Sequence, residues 1–392
     1  MILNNLLPVG SDAIINIRIN DAKIAEVSGS VINNPATSLA LTFENAIVFP
    51  GLINSHDHLD FNLFPQLGDK IYSNYTEWGK YIHQNYKTEI AQVLKIPAVL
   101  RAQWGIYKNL LCGVTTVVNH GEKLGTASDL ITVFEQTHCL HSARFEKDWR
   151  FKLNNPLKRT LPVNIHAGEG SDSAAAEEID RLISWNLLRK KLIGVHAVAM
   201  SAKQARKFDA IVWCPQSNYF LLNKTAPVDM LSEHTTTLFG TDSTLTSDWN
   251  IWNHLQTARE TGLLSDANIY SGLTNQAADV WQLNSGKIET GKDADIVVAK
   301  KRDGLTSYDA FFAVKPEDLL LVTHKGRMRL ADETIAAQLD KSVLKGFSKI
   351  NINGACKYVE GDLPQLISDI QRYNPETKFP VSLTQQFDKC IV

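Results

Sequence analysis

The stretch Val48-Phe49-Pro50-Gly51-Leu52-Ile53-Asn54-Ser55-His56-Asp57-His58-Leu59 is an apolar run that Pro-Gly interrupts, Leu-Ile restarts and two histidines close. On a strand, residues i and i+2 share a face. His56 and His58 therefore converge on one point, and imidazole is the commonest metal-ligating side chain. Two ligands do not complete a site, so partners must come from elsewhere in the chain.

Moving outward, further apolar runs end in polar residues. Val114–Val118 is followed by His120, Pro162–Ile165 ends at His166, Leu192–Val195 ends at His196, and Thr237–Thr241 ends at Asp242. Ala210–Cys214 is another such run, and a helix-like stretch covers Ala174–Arg189. Short apolar strands alternating with helical segments predict a parallel sheet. The span of about 230 residues suits an eight-stranded α/β barrel. An open doubly wound sheet is the alternative, but no glycine-rich dinucleotide loop supports it. In a barrel the carboxyl ends of all strands meet on one face, so ligands far apart in sequence can share one metal.

Both flanks read as short strands separated by turns. Ala13–Ile19, Ile24–Val27 and Ala46–Phe49 precede the central region; Ile296–Ala299, Leu319–Thr323 and Gly326–Leu330 follow it. The expected organisation is a small β-sandwich domain from residues 1–50 and 286–345, a barrel over 51–285, and a C-terminal extension over 346–392 whose helix Leu363–Ile370 packs on the barrel.

Composition narrows the function classes. Of 392 residues, 44% are hydrophobic and 21% charged, enough for a large core. The 40 basic and 42 acidic residues leave a formal charge of −2, with no electrostatic footprint for nucleic acid or an anionic membrane. The N-terminus lacks a basic region followed by a long apolar run, so no signal peptide is expected. No uncharged apolar stretch approaches the ~18 residues of a membrane span. Cys112, Cys139, Cys214, Cys356 and Cys390 are scattered, odd in number and without a CxxC pair. That usage argues against a disulfide scaffold and makes a reducing cytoplasm the expected compartment.

A single histidine after a strand is ordinarily a packed or hydrogen-bonded residue, and His83, His138, His141, His234 and His254 are read that way. His56, His58, His166, His196 and Asp242 are not, because all five occupy equivalent places. Three histidines and a carboxylate suit zinc or ferrous iron. Glu169 lies three residues after His166 in a glycine-flanked turn, where a carboxylate can face the metal's water without binding the metal; a helix N-terminal carboxylate is the ordinary alternative.

These pieces together resemble the amidohydrolase superfamily, in particular its mononuclear branch of cytosine deaminase, guanine deaminase and the triazine chlorohydrolases. The matching segments are Pro50–His58, Gly113–Val118, His166–Glu169, Val195–Ala197, Cys214–Asn218, Gly240–Ser243 and Gly291–Val298, in the family's order. The resemblance implies a distorted (β/α)8 barrel, a TIM barrel, flanked by a β-sandwich from both termini. It implies His56, His58, His166 and Asp242 as ligands of one divalent metal, zinc or iron. It also implies Glu169 as proton shuttle, His196 beside the metal, and Cys214 as a packing thiol in the pocket wall. Binuclear relatives use a strand lysine to bridge two metals; Lys147, Lys152 and Lys158 lie in the corresponding interval but in no clear strand, which favours one metal. Residues 121–160 are short and polar for two barrel repeats.

The expected reaction is hydrolytic displacement at a carbon bearing nitrogen, most directly deamination of a small heterocyclic or amidine-like substrate. A cyclic-amide or imidazolone hydrolase with the same metal core is the rival enzyme; a silent binding relative would have lost a ligand or the glutamate. Candidate substrate contacts are Asn62, Gln66, Trp78, Arg144 and Asn218. The expected partners are a small-molecule substrate and, as a homodimer, a second copy of the chain.

Overall fold

The computed structural model describes residues 1–33, 39–123 and 128–383; Cys390 lies outside them. Eight parallel strands carry the body of the chain, in two sheets that follow sequence order. The first sheet holds β1 (Leu52–Asp57), β2 (Val114–Asn119) and β3 (Thr132–Phe134). The second holds β4 (His138–Ser142), β5 (Val163–Ala167), β6 (Leu192–His196), β7 (Ala210–Trp213) and β8 (Thr236–Phe239). Among the described residues no ladder joins β3 to β4 or β8 to β1. The end of β8 nevertheless reaches β1, because the amides of Thr241 and Asp242 both donate to the carbonyl of His56, at 3.1 and 3.0 Å.

Close approach at that junction depends on glycine. A Cβ on Gly240 would lie 2.8 Å from the Cβ of His56, and one on Gly51 would lie 2.2 Å from the Thr115 hydroxyl. The Pro50-Gly51 break is thus where the chain leaves one sheet and enters β1 pressed against β2.

Strands from both chain ends build a third, eleven-stranded mixed sheet. At its centre Ala46–Pro50 pairs antiparallel with Ile296–Lys300, Val48 opposite Val298. The period-2 alternation of strands sorts their side chains. Ile47, Phe49, Val297 and Ala299 join the main core with the α/β body, while Ala46, Val48, Ile296 and Val298 join a second core with Leu3, Ile17 and Ile19.

This sheet extends further than expected. Phe347–Ile352 and Ala355–Glu360 pair with each other and continue it beyond Arg327–Asp332, so much of the region taken as an extension is sheet. The signal was present: Asn353-Gly354, with φ of +48° and +90°, is a two-residue hairpin turn of the kind Asn-Gly favours. The helix in that region, Leu363–Tyr373, packs against helix Ala98–Leu110. No helix among the described residues is long and apolar enough to cross a membrane.

Candidate active site

His56 and His58 leave β1 on one face, and Asp57 between them points the other way. The Asp57 carboxylate accepts from Lys108 Nζ at 2.9 Å, Asn62 Nδ2 at 2.8 Å and Asn109 Nδ2 at 2.8 Å, all buried. Lys108 and Asn109 come from helix Ala98–Leu110. Asn54 adds a bond from Nδ2 to the Thr241 hydroxyl at 2.8 Å and accepts from the Thr241 amide at 3.1 Å. The polar knot behind the two histidines therefore also ties down the residue preceding Asp242.

On the inner face the sequence-predicted ligands converge. His166 Nε2 is 3.2 Å from His56 Nε2, and Asp242 Oδ1 is 3.8 Å from His56 Nε2 and 3.7 Å from His58 Nε2. Zinc bonds of 2.0–2.1 Å in a tetrahedron place ligand atoms about 3.3 Å apart, so these separations fit one small divalent cation. The donor chemistry fits as well: burial lowers the pKa values of His56 and His166 well below the ordinary histidine range, leaving neutral imidazoles free to ligate. Asp242 stays ionised. Burial pushes its pKa up, but His58, His196 and the Ser217 hydroxyl more than offset this. Ser217 and Thr246 hydroxyls donate to its Oδ2 at 2.8 and 3.1 Å, and the Ser243 amide donates to Oδ1 at 2.8 Å.

Glu169 and His196 stand beside this cluster. Glu169 Oε2 is 3.5 Å from His196 Nε2, and Asp242 Oδ2 is 4.0 Å from the same nitrogen. His196 Nδ1 pairs with Asn218 Oδ1 at 2.9 Å, which makes Nδ1 the donor and turns the Nε2 lone pair toward the two carboxyl groups. Burial, reinforced by the charges of Asp242 and Glu178, holds Glu169 well above the usual carboxylate range, so it keeps its proton readily. Backbone strain gathers here too: His196, Ala197 and Asp242 have φ of +72°, +54° and +58°, costly for residues with a side chain and typical of functional positions. Cys214 is fully buried with its thiol pKa pushed up, in keeping with packing and not with nucleophilic attack.

The five candidate substrate contacts are placed differently. Asn62 bonds Asp57, Lys108 and the His58 carbonyl, and Asn218 bonds His196, so both help to hold site residues in place. Trp78 donates to the Leu67 carbonyl at 2.6 Å and packs with Phe64 and Leu67. Gln66 is exposed on a cavity of about 660 Å³ that no metal-ligand candidate lines. Arg144 pairs with the buried Glu178 at 3.5 Å, and Glu178 also receives the Tyr75 hydroxyl at 3.2 Å. Lys147, Lys152 and Lys158 are exposed on the segment between β4 and β5.

Two histidines escaped the sequence-based ligand set. His120 stacks on His166 with ring centroids 4.4 Å apart, and His141, taken as an ordinary residue, sits in β4 with its ring 4.9 Å from His166. The signal for His120 was its position after an apolar run; the run before His141 is too short and polar to give one.

Residues 152–329 match the sequence profile of the amidohydrolase family, a span holding His166, Glu169, His196 and Asp242. Over 345 residues the chain is 24% identical to a 5-methylthioadenosine/S-adenosylhomocysteine deaminase of Caldicellulosiruptor saccharolyticus, covering 74% of this chain and 80% of that protein. An adenosine deaminase of Xanthomonas campestris with bound zinc superposes with a TM-score of 0.68 at 15% identity, over 96% of this chain and 99% of its own. The zinc complex of atrazine chlorohydrolase from Arthrobacter aurescens gives 0.68 at 14% identity, over 95% and 99%. Residues 152–329 thus resemble the amidohydrolase family in sequence, and the chain shares the fold of these zinc-bound structures along nearly its whole length.

Proposed function

We propose that this chain is a metal-dependent aminohydrolase that releases ammonia from a small aminated heterocycle of the purine type, using one zinc held by His56, His58, His166 and Asp242. The observation that carries this reading is the meeting of three imidazoles and an ionised carboxylate, with His56 3.2 Å from His166 and Asp242 3.8 and 3.7 Å from His56 and His58, and a proton-holding carboxyl alongside. The relatives named as deaminases support the reaction class. In the same reading the two parallel sheets form one distorted (β/α)8 barrel, and the mixed sheet from both chain ends is a separate β-sandwich domain.

When bound, such an ion supplies Lewis acidity that brings the pKa of a water from 15.7 toward about 7. Glu169 accepts a proton from the attacking water and returns it to the departing nitrogen, a role its raised proton affinity suits. His196, fixed by Asn218, offers Nε2 to the reacting centre as a hydrogen-bond partner. Asp242 receives the remaining hydrogen of the nucleophile, its other oxygen being steadied by Ser217 and Thr246.

Purified protein should carry about one equivalent of zinc and release ammonia from at least one member of a panel of aminopurines and related heterocycles. His56→Ala should lose both metal and turnover. Glu169→Gln should keep the metal and lose roughly 10²–10⁴-fold in kcat. Full turnover by metal-free protein would contradict the reading.

A further inference from the structure

We infer that His120 is an additional nitrogen donor to the metal centre, so that the ion is gripped by four imidazoles and one carboxylate. This rests on the metal site proposed above and concerns a residue outside that ligand set.

His120 follows β2, and its amide donates to the carbonyl of Asp57 at 2.8 Å, which places it on the same rim as His56 and His58. Its side chain is buried, with the residue 1% exposed, yet among the described residues neither Nδ1 nor Nε2 makes a hydrogen bond. A buried polar atom left unpaired costs about 1–3 kcal/mol, so two on one ring call for a partner. Asn164 interacts with the His120 ring, yet at a geometry that satisfies neither its own amide atoms nor the ring nitrogens among the described residues. What His120 does approach is the ligand cluster. One of its ring nitrogens lies within 4.8 Å of ligand nitrogens on both His56 and His166, near the ~4.2 Å limit for two donors sharing one ion. Its ring lies 4.9 Å from that of His56 and 5.2 Å from that of His58. A ring present only for packing would not need two nitrogens in this position; a phenyl would fill it at lower cost.

His120→Phe isolates the question, because it keeps an aromatic ring against His166 and removes only the nitrogens. Metal-free wild type, His120→Phe and His56→Ala would be titrated with cobalt(II) chloride, followed by visible absorption, and with zinc against a competing chelator. Loss of a donor should weaken zinc binding by roughly tenfold or more. It should also strengthen the visible cobalt bands, as the number of protein donors falls from five to four. X-ray absorption on the zinc-loaded wild type, which needs no variant to fold, should count four imidazoles. A His120→Phe protein with wild-type affinity and spectrum, or a count of three imidazoles, would overturn the inference while leaving the metal site standing. Wild type that takes up no ion, like His56→Ala, would overturn both.

Discussion

A carboxyl group stripped of water keeps its proton to higher pH, and Glu169 is 5% exposed with Asp242 and Glu178 adding negative charge nearby. In metal-free protein this has a definite sign. A group whose folded pKa is raised contributes stability below its unfolded value, near 4.3, and that contribution disappears as pH climbs through the folded value. Glutamine cannot ionise. Metal-free Glu169→Gln should therefore melt above wild type at about pH 8, with the gap closing below about pH 4; thermal scans in chelator across that range would show it. A difference independent of pH would mean that Glu169 is not strained by ionisation. The proposed ligand residues are legible because each closes an apolar run, and position alone carries that information. The partners of Asn62 and Asn218 are not legible in the sequence, because an amide's role depends on what it meets. Lys108 and His196 reach them only in the fold. His141 stayed hidden because His138-Cys139-Leu140-His141-Ser142 has no apolar run to mark it as a strand.

At the scale of elements, β1 serves two purposes through its alternation: one face presents His56 and His58, the other buries Asp57 against Lys108 with side-chain exposures of 0% and 2%. Breaking a buried ion pair by removing one member strands the other charge and costs about 3–5 kcal/mol. Lys108→Met should lose stability of that order in chemical denaturation, and so should Asp57→Asn in part, since an amide satisfies fewer of the three donors. The double variant should lose clearly less than the two single losses together, because neither charge is left alone. Additive losses would show that the pair is not coupled. Strands β1, β2 and β5 to β8 were readable as apolar runs; β3 was not, being three half-buried residues. The hairpin at Asn353-Gly354 carries its turn signal in the sequence, but its strands alternate apolar and polar residues without a long hydrophobic stretch.

Over the whole molecule, the site joins parts of the chain that lie far apart in sequence. His56 and His58 come from the end of β1, His166 from β5 and Asp242 from beyond β8, and among the described residues no strand ladder links β8 to β1. A cation shared by these residues would cross-link the two parallel sheets at their carboxyl ends, while the sheet from both chain ends shares the main core with the body through Ile47, Phe49 and Val297. Ligand binding to the folded state alone adds RT ln(1 + [L]/Kd), about 2.7 kcal/mol at a hundredfold excess over Kd. For a chain of this size that corresponds to a rise in Tm of several degrees. Zinc should therefore raise the Tm of chelator-treated wild type in proportion to the logarithm of its free concentration. His56→Ala should show little response, whereas Glu169→Gln, which keeps every ligand, should respond like wild type. The same zinc-dependent shift in His56→Ala would place the stabilising ion elsewhere and remove the metal from its proposed role in joining the sheets.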